Sequence, residues 1–187
     1  MNKTKLVNCF LSGRRKSISK YENQTEELQS KVLQKLIRQA IHTEWGQTHG
    51  FAQVNDYNSF TKTSPINTYE ELKGYIDRMR RGEKDVLWSG KVRWYAKSSG
   101  TTNDKSKFIP VSKECLQDTH YRGGTDAVAL YLGQNPRSRM FDGKALILGG
   151  SHSPNYNLPH SLVGDLSAIL IENVSPFVNH FRIPSKE

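Results

Sequence analysis

The chain has 187 residues, only 35% of them hydrophobic, with a formal net charge of +9 at pH 7 and a mean hydropathy of −0.67. That length accommodates one or two domains with a buried core, and no stretch approaches the length of a membrane-spanning helix. Two cysteines, Cys9 and Cys115, have neither CxxC spacing nor clustered histidines, which argues against a disulfide framework or a zinc site and suits free thiols in a reducing, cytoplasmic compartment.

In chain order, Lys3, Lys5, Arg14, Arg15, Lys16 and Lys20 all precede the first acidic residue, Glu22. A basic balance favours anionic partners. For residues 1–20, however, a solvated and partly frayed end is the expected state, so this basic segment is set apart from residues 21–187. Residues 21–45 carry a helical pattern. Leu28, Val32, Leu36 and Ala40 recur at four-residue spacing with Leu33, Ile37 and Ile41 beside them; Leu28, Val32, Leu36 and Ile37 are expected to be the most buried. Gly46 is read as the C-cap. A short helical turn is expected within residues 54–60.

Thr68-x-x-Glu71 is a capping box before Leu72, Ile76 and Met79, predicting a helix over residues 69–81 that stops at Gly82. Arg78, Arg80 and Arg81 at its end suit the helix dipole without any ligand. Residues 92–96 are β-prone, and Ser112 is the expected N-cap of a helix running toward Leu132. Within that helix, Gly123-Gly124 marks a break or a close backbone approach, and His120 reads as a packed or surface histidine. Residues 144–148 read as a buried strand, followed by Gly149-Gly150-Ser151, a tight turn or a second phosphate loop. Asp165 or Ser167 is expected to cap an apolar helix within residues 162–174.

Between the β-prone segment and Ser112 runs Ser98-Ser99-Gly100-Thr101-Thr102-Asn103-Asp104-Lys105-Ser106-Lys107-Phe108-Ile109-Pro110. A strand, a small polar loop and then a helix is the context of a phosphate-binding turn. Phosphate oxygens need short, preorganised donors. Backbone N–H groups supply them where glycine lets the chain approach closely; hydroxyls add donors with little bulk, and lysine adds a mobile positive charge. The residue types alone leave a polar surface loop open as the other reading, since Asn-Asp is itself a turn signal. The loop is not a Walker A motif, because Asp104 stands before Lys105-Ser106 where that pattern has glycine.

With its flanks, this loop resembles the first nucleotide motif of adenylate-forming enzymes. The double serine and Lys-Phe-Ile-Pro are similar to one branch, the auxin-responsive promoter (GH-three) family of acyl-acid amido synthetases. Thr43-Glu44-Trp45-Gly46, His49-Gly50-Phe51, Tyr57-x-x-Phe60, Pro65-Ile66-x-x-Tyr69-Glu70, Tyr75-Ile76-x-x-Met79, Gly82-Glu83 and Asp165-Leu166-Ser167 extend the resemblance over most of the chain from Tyr21 onward.

The resemblance implies an α/β fold: the partial N-terminal domain of an adenylate-forming enzyme, with a helical N-terminus followed by strands and helices around the loop. It implies ATP with Mg²⁺, a small carboxylic acid and an amino acid as reactants, and neither nucleic acid nor membrane as partner. It makes Ser98, Ser99, Thr101 and Thr102 phosphate binders, Gly100 the point of close approach, and Lys105 and Lys107 candidate charge contacts. It leaves the catalytic residues unknown and implies no resident metal site. The family's adenine, metal and ribose motifs and its C-terminal domain lie downstream of the loop and are not found here, so a truncated chain is expected. A catalytically inactive nucleotide-binding or regulatory remnant is the alternative. A basic nucleic-acid module is weaker, because Arg93-Trp94-Tyr95 is too little aromatic and basic interleaving.

Overall fold

The computed structural model describes residues 3–98 and 106–185. The chain starts with helices α1 (Lys3–Phe10), α2 (Ser12–Ile18), α3 (Thr25–Ala40), α4 (Glu44–Thr48), α5 (Tyr57–Thr63) and α6 (Tyr69–Arg80). Strands β1 (Trp94–Ser98) and β2 (Lys107–Val111) follow. A π-helical segment, Cys115–Tyr121, then runs into α7 (Arg122–Gln134). The rest comprises β3 (Ala145–Leu146), β4 (Leu162–Gly164), α8 (Leu166–Glu172), α9 (Pro176–His180) and β5 (Arg182–Ile183). Among the described residues no helix is long and apolar enough to cross a membrane.

A three-stranded sheet in the order β2-β1-β4 organises the molecule. β1 pairs antiparallel with β2 and parallel with β4, with Tyr95 opposite both Pro110 and Val163. Side chains alternate across β1 with period two. Tyr95 faces a core built from Ile76 and Met79 of α6 with Val86, Val92 and Val163. Trp94 and Ala96 join the other face, with Val111, Leu116 and Ile169. Burial pushes the Tyr95 phenol up to about 12, so it stays neutral throughout the physiological range.

The capping box closes as the sequence predicts. The Thr68 side chain accepts from the Glu71 amide, Glu71 accepts from the Thr68 amide at 2.6 Å, and the helix stops just before Gly82. Ser112 likewise accepts from the Cys115 amide at 3.1 Å.

Other expectations are corrected. The first long helix is α3 alone, and its buried residues are Ile37 and Ala40; Val32 is 57% and Leu36 44% exposed. The reason is what lies beneath: Phe51, Phe60, Trp45 and Val54 sit against the side carrying Leu33, Ile37 and Ile41. Gly46 is not a C-cap but lies inside α4. A Cβ there would stand 2.1 Å from the Ala40 carbonyl oxygen, so the glycine is what lets α4 pack on the end of α3. Thr43, fully buried, makes the turn by donating to Ala40 O at 2.7 Å and accepting from Gly46 N at 3.0 Å. The next two amides, of Glu44 and Trp45, donate to Asp85 and Val86 carbonyls.

From Lys3 onward the basic N-terminal segment is folded into α1 and α2 and not frayed. Arg14 forks onto Asp126, and Arg15 reaches the Asn8 side chain at 2.7 Å and lies against Gly133. Thr4 donates to Asp142 and accepts from the Phe141 amide. Gly123 and Gly124 stay inside α7 with open space around them, so neither marks a close approach. Within residues 144–148 only Ala145–Leu146 form a strand, paired solely with β5; Leu146 and Leu148 are 70% and 80% exposed. An apolar run signals burial only when both faces are covered.

Two predictions follow from this packing. Ile37→Ala is expected to cost about 2–5 kcal/mol and Leu36→Ala less than about 1 kcal/mol, measured by urea denaturation. The second concerns Arg78, which hydrogen-bonds Glu44 and Glu83 and holds both carboxyls below their ordinary value. Folded values below unfolded ones mean that the contribution is complete above about pH 4.3 and is lost as pH falls through the depressed values. Arg78→Met is expected to return both carboxyls toward their ordinary value in an NMR titration of the carboxyl carbons.

Candidate functional site

The sheet brings three of the sequence-marked stretches to one end. β1 and β4 run parallel, with Ala96 opposite Gly164, so residues following β1 and residues following β4 emerge side by side. Ligand sites of open α/β sheets gather at such carboxyl ends.

Lys-Phe-Ile-Pro is strand β2, not the approach to a helix. The loop therefore links two antiparallel strands, and the strand–loop–helix expectation is corrected to a hairpin. Ser98 and Lys107 face each other as the last ladder pair, their Cα atoms about 5 Å apart. Ser98 is half-buried and Lys107 exposed. Ser99, Gly100, Thr101, Thr102 and Lys105 lie outside the described residues.

Around the hairpin stands a set of cations and rings, of which sequence reasoning had named only Lys107 as a charge contact. The Lys97 Nζ is 4.3 Å from the centre of the Tyr156 ring, and the Lys107 Nζ is 5.5 Å from that of Tyr69. The Arg80 guanidinium lies 3.9 Å over Phe108 and donates to the Tyr156 carbonyl at 2.6 Å. The Tyr69 hydroxyl accepts from the Phe108 amide at 2.9 Å. Among the described residues, no carboxylate lies within ion-pair distance of Arg80, Lys97 or Lys107. Lys97 was detectable as the cation next to Ser98. Arg80 was masked by its place in the last turn of α6, where a basic residue already has a reason to be.

Gly149-Gly150-Ser151 lies beside the β4 exit, but two of its backbone amides are engaged. The Gly150 amide donates to Ser167 Oγ at 2.8 Å, and the Ser151 amide to Asp165 Oδ2 at 2.9 Å. Asp165 precedes α8 but makes no side-chain cap to it, because its carboxylate serves the neighbouring loop. The stretch is irregular backbone, not a tight turn, and Asp165 and Ser167 hold it beside α8.

A cavity of about 650 Å³ lies elsewhere, between α3 and the π-helical segment, lined by Val32, Leu36, Trp88, Cys115, Asp118 and Arg122. Asp118 is held below its usual range by hydrogen bonding to Lys35. Burial pushes the Cys115 thiol up, which disfavours the nucleophilic thiolate. His120 is half-buried beside Tyr121 and Leu170. Among the described residues there is no cluster of His, Cys, Asp and Glu able to hold a metal ion.

Comparison with known proteins gives a consistent picture. Residues 14–181 match the model described as the GH3 family N-terminal domain. Jasmonoyl–L-amino acid synthetase JAR6 of Nicotiana attenuata is 32% identical over 108 residues, 56% of this chain and 19% of that protein. Indole-3-acetic acid-amido synthetase GH3.15 of Arabidopsis thaliana is 32% identical over 93 residues, 49% of this chain and 16% of that protein. The chain thus spans less than a fifth of the length of these curated relatives. In fold, it superposes on a solved GH3.15 acyl acid amido synthetase with a TM-score of 0.64 at 23% identity, over 84% of this chain and 28% of that one.

The contacts of Asp165 and Ser167 yield a prediction. A Cβ on Gly150 would stand 2.1 Å from Asp165 Oδ2, so Gly150→Ala is expected to cost about 1–3 kcal/mol. In an Asp165→Ala background the same change should cost less than about 0.5 kcal/mol, a coupling that a double-mutant cycle by urea denaturation measures.

Proposed function

The chain belongs to the GH3 family through its N-terminal domain, and we propose that it carries the phosphate-binding part of an ATP-dependent acyl-acid amido synthetase. In the proposed reaction a carboxylate oxygen attacks the α-phosphorus of ATP, and the bond to pyrophosphate breaks. An amino acid nitrogen then attacks the acyl carbon of the adenylate, the bond to AMP breaks, and the amine releases a proton. The relatives' names point to an acyl acid and an amino acid as the reactants. Use of ATP and the free cysteines support a cytoplasmic setting.

One observation carries the reading: a hairpin loop beginning Ser98-Ser99-Gly100-Thr101-Thr102 is flanked by Lys97, Lys107 and Arg80, none paired with a described carboxylate. Hydroxyls and amides of the loop would hold phosphate oxygens while charge moves from the α-phosphate to the leaving pyrophosphate. The uncompensated cations fit an anionic chain, and Mg²⁺ would arrive with the nucleotide, neutralising its oxygens.

The test uses the 187-residue chain. Calorimetry is expected to detect weak, salt-sensitive binding of pyrophosphate, reduced about tenfold by Ser99→Ala with Thr102→Ala. Acid-dependent exchange of pyrophosphate into ATP is expected to be absent. Positioning contributes on the order of 7–11 kcal/mol to such reactions, and a phosphate cradle alone leaves adenine and ribose unheld. No pyrophosphate binding would overturn the phosphate reading. Robust exchange by this chain, abolished by the two substitutions, would overturn the division of labour.

A further inference from the structure

We propose that Lys97 is a further phosphate-contacting residue, and that Arg80 is the positioning residue that fixes it through the rings of Phe108 and Tyr156. The proposal rests on the phosphate-loop reading above and adds residues that lie outside the loop motif.

Lys97 is the residue before Ser98, and the ladder puts it opposite Phe108. Period-two alternation sends its side chain to the Tyr95 face, where the Tyr156 ring receives the ammonium at 4.3 Å. A lysine on a strand end ordinarily sweeps a wide volume, because its four-carbon stem is flexible. Stacking on a ring narrows that volume without neutralising the charge, unlike an ion pair. The ammonium is thus restrained at the root of the loop and still available to an anion.

The Tyr156 ring is itself held. Its backbone carbonyl accepts from Arg80 at 2.6 Å, and its ring centre lies 5.7 Å from that of Phe108. Phe108 in turn carries the Arg80 guanidinium at 3.9 Å. Arg80 is only 8% exposed, and its Nε makes no hydrogen bond with the described residues. A guanidinium kept merely to stabilise the fold would be expected beside a carboxylate, since a buried unpaired charge is costly. Here no described carboxylate pairs with the guanidinium, which donates to the carbonyl of Tyr156, the residue whose ring carries Lys97, and adds to the positive potential at the hairpin. Arg80 therefore does two things: it clamps Tyr156 against Phe108, and it keeps that end of the sheet positive.

The experiment uses the 187-residue chain, inorganic pyrophosphate as the probe, and the NMR shift of the Lys97 ε-methylene protons, which the Tyr156 ring should move upfield. Lys97→Met is expected to weaken pyrophosphate binding about fivefold at low salt and to flatten its salt dependence, as loss of one partly screened charge contact would. Lys97→Arg should recover most of the affinity, and Lys31→Met on the exposed face of α3 should leave it unchanged. Arg80→Lys keeps the charge but loses the planar fork; it should erase the upfield shift and weaken binding about twofold to fivefold. Tyr156→Leu, at a half-exposed position, should do the same and guards against misfolding of the Arg80 variant, with circular dichroism as the check. Wild-type affinity in Lys97→Met would overturn the contact while leaving the loop reading intact. An unaltered Lys97 shift in both Arg80→Lys and Tyr156→Leu would overturn the positioning role. A wild-type chain that does not bind pyrophosphate would overturn the loop reading, and with it the role of Lys97.

Discussion

Strand β1 is constrained in every direction available to a strand. Both of its edges are hydrogen-bonded, to β2 on one side and β4 on the other, and both of its faces are packed. A one-residue slip would put Tyr95 where Trp94 stands and turn Lys97 to the opposite face. The register therefore sets which residue enters the loop, which cation flanks it, and which loop lies alongside it across β4. α6 beneath one face and α8 with the π-helical segment beneath the other follow from the same alternation.

The charge of +9 is not spread as composition alone would suggest. Several of the 27 basic residues stand beside acids: Arg14 with Asp126, Lys31 with Glu27, Lys73 with Asp77, and Arg78 with Glu44 and Glu83. These exposed or half-exposed pairs contribute little stability each, but they quench the field where they stand. The hairpin end differs because its cations rest on rings instead of carboxylates.

What the sequence disclosed was mostly local chemistry. The Thr68–Glu71 box and the Ser112 cap need only a few neighbouring residues, so their signals survive without knowledge of the fold. The ordered motifs from Thr43 to Asp165 also identified the family, because they sample nearly every element of the domain. The face of α3 was not legible: Leu36 and Ile37 belong to two stripes of similar quality, and the choice between them is made by Phe51 and Phe60, which come later in the chain. Strand β2 was hidden because pairing, not propensity, makes it a strand, and Pro110 reads as a break. Asp165 looked like a cap for its own helix, yet its carboxylate goes to Ser151. In the candidate site, the loop was visible as composition, whereas Arg80, Phe108 and Tyr156 meet only through the tertiary fold.

The π-helical segment Cys115–Tyr121 has a bearing on how this domain tolerates changes in length. The Arg122 amide reaches back to the Gln117 carbonyl, one residue further than in an α-helix. A π turn accommodates one extra residue while the helix on either side keeps its facing. Leu116 thus stays in the core beside Ile169, and Asp126 still meets Arg14 a little further on. The segment works as an expansion joint: a homologue with one residue fewer there could run as plain α-helix and present the same two faces. Alignments of this region are best anchored at Leu116 and Asp126, with any single-residue gap placed between them.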